Sequence, residues 1–147
     1  MSGARTLEIS FPGGRRVDAR VGEHTLHTDQ PPDNGGTNTA PSPFELFLAS
    51  IGACAGIFVQ GFCAKRGIAV EDLRIQQHVD FDERGVLRSV DLHVQVPPDF
   101  PERYRDAIVQ VIEQCSVKRA IAAQPTFSVH VSPGAHRTTP PSSAPMR

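Results

Sequence analysis

At 147 residues and 15.9 kDa the chain is one domain in length, long enough to bury a core. With 39% hydrophobic and 21% charged residues, it has the composition of neither a disordered chain nor a coiled coil. Lys and Arg total 15 against 16 Asp and Glu, and aromatics are 6% with no Trp, which leaves neither the basic surface nor the stacking platform of a nucleic-acid binder.

The N-terminal Met-Ser-Gly-Ala-Arg has no apolar run behind its charge, so no signal peptide is expected. Residues 5–30 alternate loosely (Leu7, Ile9, Phe11, Val17, Val21, Leu26) around Gly13-Gly14 and Gly22, the pattern of two or three short strands. Residues 29–42 form a polar Pro/Asn/Gly loop, longer than a typical connection. A helix then begins with Ser42 as N-cap, Pro43 at the first helical position and Glu45 completing a capping box. It is predicted to run to about Arg66 and to close on Gly67 in the left-handed conformation.

From Leu46 to Ala64 that helix carries no charge, about the length that spans a bilayer. It also holds Gly52-x-x-x-Gly56, the spacing of a close helix–helix contact. Ser50, Gln60 and the glycines lower its hydrophobicity, and no second such segment exists. A helix buried all round in a soluble protein, with no membrane partner, is the expectation.

Leu73, Ile75, Val79 and Phe81 keep a period of two that only Gln77 interrupts, and Val86, Val90, Leu92, Val94 and Val96 continue it past Asp82-Glu83-Arg84-Gly85. That is a long antiparallel hairpin with one face buried. Pro101 opens a second helix with Tyr104, Ile108, Val111, Ile112 and Cys115 on one stripe. A short helical piece through Ala123 and a final strand at 126–131 complete a domain of residues 1–132. Residues 133–147, rich in proline, read as a disordered tail.

Three cysteines, Cys54, Cys63 and Cys115, are too few and too odd in number for a secreted disulfide scaffold, so a reducing cytoplasm is the expected compartment. Cys54 lies mid-helix among Ser50, Gly52, Ala53 and Gly56, which leave space around its sulfur. Cys115 sits on the apolar stripe of the other helix. Two interior thiols form either a redox pair, one attacking an oxidant and the other resolving the sulfenic acid, or two small core residues. Cys63 falls on the opposite side of the helix from Cys54, at about 100° per residue, and reads as core filler. A thiolate needs a positive neighbour to lower its pKa. Arg15, Arg16 and Arg20 are the candidate cations, and Glu45 is the acid that would hold one of them. His24 and His27 sit on opposite faces of a strand with no ligand beside them, so no metal is expected. No nucleotide or cofactor fingerprint occurs either, and no cofactor is expected.

The run Asp29-x-Pro-Pro…Gly35-Gly36…Pro41-Ser42-Pro43-x-Glu45-Leu46-x-Leu48-Ala49-x-Ile51-Gly52-Ala53-Cys54, followed about sixty residues later by Cys115-Ser116-Val117-Lys118, resembles the OsmC/Ohr family of osmotically inducible and organic hydroperoxide resistance proteins. The likeness covers roughly residues 15–131. It implies an α+β fold with two central helices, antiparallel sheets and an intertwined homodimer. It further implies a thiol peroxidase in oxidative and osmotic stress defence. Cys54 would attack an organic hydroperoxide, Cys115 would resolve it, and a lipoylated protein or another dithiol would reduce the disulfide. An arginine, with Arg15 as the match, and Glu45 would hold the first thiolate reactive. Family peroxidases usually place the acid ten residues before the cysteine, where this chain has Phe44; Glu45 is one step on, about 100° around the helix. That departure supports an alternative expectation: a dimer of the same family that binds a small apolar or electrophilic ligand at its interface without peroxidase activity.

Overall fold

The computed structural model describes residues 3–134 of a single chain. Its first three strands, β1 (Glu8–Gly13), β2 (Arg16–Val21) and β3 (His24–Thr28), form an antiparallel sheet in that order. The turns between them fall on Gly14 and Gly22, both at φ +60, a conformation glycine adopts without a Cβ clash. β1 is exposed throughout, and Phe11 keeps 81% of its surface. Among the described residues, this sheet's apolar side chains Ile9, Phe11 and Leu26, and Leu7 just before it, are left exposed.

The polar loop after β3 is folded tightly onto one buried carboxylate. Asp29 Oδ2 accepts from Thr37 N (3.2 Å), Thr37 Oγ1 (2.7 Å), Thr39 N (3.0 Å) and Thr39 Oγ1 (2.8 Å), while Oδ1 accepts from Gln30 N (2.8 Å). Asp29 N donates to Pro41 O at 3.3 Å, so the end of β3 and the start of the long helix are tied together. A side chain at Gly36 would strike the Gln30 carbonyl, so only glycine closes this loop.

Helix α1 (Pro43–Ala64) starts as the sequence predicts, with Ser42 extended at ψ 158 and both halves of its capping box formed. It ends two residues before the predicted Arg66, with Gly67 at φ +65. The Ile68 N–H reaches Cys63 O (3.0 Å) and the Gly67 N–H reaches Ala64 O (3.3 Å), the paired bonds of a Schellman ending. One stripe, Ile51, Ala55, Val59, Phe62 and Cys63, is buried. The opposite side, Ala49, Ala53, Ile57, Gln60 and Ala64, stays exposed. By length and composition α1 is apolar enough to cross a membrane, but its buried stripe is part of a packed core.

The hairpin β4 (Arg74–Phe81) and β5 (Leu87–Gln95) pairs Ile75 with Val94, Gln77 with Leu92 and Val79 with Val90. Its turn is fixed by Asp82 Oδ1, which accepts from the N–H groups of Arg84 and Val86. Ile75, Leu92, Val94 and Val96 pack against a core of Ala55, Val59, Phe62, Cys63, Phe100, Ile108 and Ile112. Helix α2 (Arg105–Ile112) supplies the last two of these.

The second helix does not carry Cys115, as its apolar stripe predicts. The N–H groups of Gln114 and Cys115 bond to Val111 O and Ile112 O, three residues back, tightening and ending the turn. Cys115, at ψ 122, then stands as the N-cap of α3 (Ser116–Ala122) and remains fully buried. The predicted strand at 126–131 is also absent from the single chain. A strand needs a facing row of N–H and C=O groups, and no strand edge among the described residues meets it. Phe127 and Val131 are 89% and 97% exposed. Pro133 and Gly134 lie in no regular element, and the rest of the tail, residues 135–147, lies outside the described residues.

Candidate functional site

Two elements converge on Cys54. It projects from the middle of α1, half-buried, on the side facing the start of α3. Cys115 ends the α2–α3 connection beneath it, and all three cysteines are free thiols. Burial works against ionisation of Cys54. Hydrogen bonds from the Cys115 thiol and from the backbone N–H groups of Val117 and Ser116 outweigh it, and hold the Cys54 pKa below the ordinary thiol value. Cys115 moves the other way. Burial, the hydrogen bond it donates to Cys54 and that group's negative charge push it up, against the N–H groups of Lys118 and Val117. Burial also raises Cys63, opposed only by the charge of Arg66. The three thiols are therefore distinct: the pKa of Cys54 is lowered, and those of Cys63 and Cys115 are raised.

The acid and the cation named from the sequence lie elsewhere in this chain. Glu45 turns back on its own helix terminus, its Oε2 accepting from Ser42 N at 2.7 Å. The Ser42 N–H, then the Ser42 hydroxyl, hold its carboxyl below the usual range. Arg15 is exposed at the β1–β2 turn, its Cγ beside Gly35. Among the described residues, the ion pairs within 4.0 Å include neither Arg15 nor Glu45. The single chain brings the two cysteines together, and neither Arg15 nor Glu45 is among the groups that shift the Cys54 pKa.

The N–H groups of Ser116 and Val117 were not among the candidates read from the sequence. Reading one helix through Cys115 hid them, since amides inside a helix are spent on its own ladder. The apolar stripe runs on from Ile112 to Cys115, with Glu113-Gln114 on its polar alternates, so the spacing carries no mark of the break.

An aromatic group lies at the N-terminal end of α1. Phe44 stacks on Phe47 at 5.7 Å between ring centroids and meets Phe81 at 6.1 Å. A separate cleft of about 900 Å³ opens between β5 and α2–α3 over Leu92, Val94, Ile108, Ile112 and Ile121, with Lys118 at its wall. No group of three or more His, Cys, Asp or Glu able to hold a metal occurs among the described residues.

A two-thiol site between a long central helix and a short capped one, in an α+β chain with two antiparallel sheets, is the architecture of a known class. The OsmC-like protein family matches residues 36–130, and the chain belongs to that family. None of the curated proteins matches it. Among solved structures it is similar to a candidate osmotic stress induced and detoxification response protein from Psychrobacter arcticus (17% identity, TM-score 0.68, covering 82% of this chain and 90% of that one). It is also similar to the OsmC-like protein of Mycoplasma pneumoniae (14%, 0.66, 84% and 91%). The organic hydroperoxide resistance protein OsmC of Legionella pneumophila gives 25% identity and a TM-score of 0.55, covering 82% and 91%.

Proposed function

We propose that the chain is a cysteine peroxidase that reduces organic hydroperoxides through a Cys54–Cys115 disulfide. The observation that carries this reading is the pair itself: a half-buried Cys54 on α1 facing a fully buried Cys115 at the start of α3, the first thiol with its pKa lowered by the second and the second with its own raised. The Cys54 thiolate attacks the distal peroxide oxygen and the O–O bond breaks. The alkoxide leaves with a proton as the alcohol, and Cys54 becomes a sulfenic acid. The Cys115 sulfur then displaces water from that sulfenic acid to form the disulfide. A lipoylated protein or another dithiol returns both thiols, being oxidised to its own disulfide.

The activating role falls to the Cys115 thiol and the N–H groups of Val117 and Ser116. Arg15 and Glu45 join the site only if assembly carries them there. The organic hydroperoxide resistance proteins among the similar structures support the substrate class.

The working form is a homodimer in the reducing cytoplasm. Support comes from the uncovered β1–β3 sheet, the exposed small-residue side of α1 and the unpaired 126–131 segment, three apolar surfaces that one chain leaves open. The strand expected at 126–131 forms in that dimer, where a second copy supplies its edge.

Mass spectrometry of the reduced protein after one equivalent of cumene hydroperoxide tests the reading. A Cys54–Cys115 disulfide within seconds, faster than with hydrogen peroxide, is expected; thiols untouched for minutes would sink it. The second reading, a ligand-binding dimer without peroxidase activity, is favoured by the Phe44–Phe47–Phe81 group where family peroxidases keep an acid. It predicts inert thiols together with saturable binding of small aryl electrophiles, lost in Phe44→Ala.

A further inference from the structure

Gln77 occupies an inward position of β4, between Ile75 and Val79 and opposite Leu92, where the alternation calls for an apolar side chain. Its Nε2 donates to the Leu48 carbonyl inside α1 at 2.9 Å. A helix-interior carbonyl has a second lone pair free for such a bond. The other end of the carboxamide, Oε1, is buried and has no hydrogen-bond partner among the described residues. A Cβ at Gly52 would lie 2.7 Å from that oxygen, so only glycine lets the carboxamide lie under the helix.

This is a peg in a notch, and it fixes position along the helix axis. A shift of α1 by one residue, about 1.5 Å, would draw Leu48 O out of reach or bring a Cβ onto Oε1. An apolar side chain of similar size would fill the same space without a buried, unsatisfied acceptor. Packing alone therefore does not account for a carboxamide here. Cys54 is two residues beyond Gly52 on the same rigid helix. Cys115 stands three residues beyond the end of α2, whose Ile108 and Ile112 share one core with Leu92 and Val94 of β5. Both thiols are thus referred to a single hairpin, one through β4 and the other through β5.

We propose that Gln77, seated in the Gly52 notch, is a positioning residue that sets the height of α1 on the hairpin and so the reach of Cys54 to Cys115. The inference rests on the thiol-pair reading above, and its test separates the two. Diamide takes the two thiol hydrogens, is reduced to the hydrazine, and leaves a disulfide without any peroxide. The rate of Cys54–Cys115 bond formation with diamide is measured in the full chain for the parent, Gln77→Leu and Gly52→Ala. In Gly52→Ala the added methyl pushes the carboxamide end aside while favouring helix, so the fold is retained.

Both variants are expected to close the bond about tenfold more slowly, within the loss that a misplacement of about 1 Å brings. With cumene hydroperoxide they should also accumulate more sulfinic acid at Cys54, because the sulfenic acid waits longer for its partner. Parent-like diamide rates in Gly52→Ala, or in a folded Gln77→Leu, overturn the proposal. A lowered melting temperature with no change in rate marks Gln77 as structural only, and overturns it too. If Gln77→Leu does not fold, Gly52→Ala decides alone. A parent that is inert to hydroperoxide but closes the bond with diamide defeats the peroxidase reading, and the variant rates still decide this one. A parent that forms no bond with diamide overturns it outright.

Discussion

The chemistry of this chain turns on how differently it treats three residues of one type. Free thiols ionise near pH 8.5. Here Cys54 is held below its ordinary value while Cys115 and Cys63 are raised. Iodoacetamide labelling followed by peptide mass spectrometry should show Cys54 modified first as pH rises, with Cys115 and Cys63 following only at higher pH. Simultaneous labelling of all three would refute the assignment. The sign for stability follows. A lowered folded-state pKa makes the Cys54 thiolate a stabilising group above its unfolded value, and that contribution is lost as pH falls through the folded value. Cys115 does the reverse, stabilising as a neutral thiol at low pH and losing that contribution as pH rises through its raised value. Glu45 separates a capping role from a catalytic one. Gln also serves in a capping box, so Glu45→Gln should keep both the fold and the hydroperoxide rate. A large loss of rate with an unchanged melting temperature would return Glu45 to the catalytic group.

At the scale of elements, the start of α1 is specified twice. The capping box fixes its first turn, and Asp29 ties the preceding loop so that this turn begins in one place. Ser42→Ala removes the cap and should cost about 1 kcal/mol in a denaturant melt, with the labelling order of the cysteines unchanged. Asp29→Asn should act more broadly, since an amide nitrogen replaces an acceptor among N–H and O–H donors. It is expected to lower the melting temperature and open residues 30–41 to proteolysis, whereas Asp33→Asn should do neither. The Thr39 N–H and the Thr37 hydroxyl, then the N–H of Gln30 and the hydroxyl of Thr39, hold the Asp29 carboxyl far below the usual carboxylate range against its burial. Its stabilisation is therefore present above the ordinary carboxylate pKa and is lost only as pH falls through the depressed one. The loop should stay closed at every pH where Cys54 ionises.

At the scale of the molecule, the described residues leave much apolar surface open. The chain exposes 12402 Å², whereas a compact monomer of this mass exposes about 7,400 Å². The exposed apolar side chains include Phe11, Leu26, Ile57, Phe127, Val129 and Val131, spread over the first sheet, the outer side of α1 and the C-terminal segment. Apolar area on this scale is characteristic of an interface. Sedimentation equilibrium should give about twice 15.9 kDa. Ala53→Arg, which puts a charge on the exposed side of α1 away from the core stripe, should shift the mass toward the monomer. A parent that sediments as a monomer at micromolar concentration would contradict the dimer.

Local rules were sufficient for much of this. Ser42-Pro43-x-Glu45 gave the helix start, Gly67 its end and Gly14 and Gly22 the first turns, because each is decided by the backbone within a few residues. The period of two gave the hairpin and its inward face, and the charge-free run gave the long helix, of which this chain buries one stripe and not every side as expected. The sequence alone also singled out Cys54 and Cys115 as a pair to examine. It did not reveal that the second helix stops at Ile112, since an apolar stripe continues smoothly across a break whose cause is a few hydrogen bonds. Nor did it place Gln77 beneath Gly52, which are twenty-five residues apart along the chain. Which thiol ionises was likewise a tertiary decision: it depends on burial and on N–H groups brought to Cys54 from α3, and a one-dimensional pattern records neither. A strand at 126–131 has the right alternation but no partner edge in its own chain, because pairing is a property of what lies alongside and not of the segment itself.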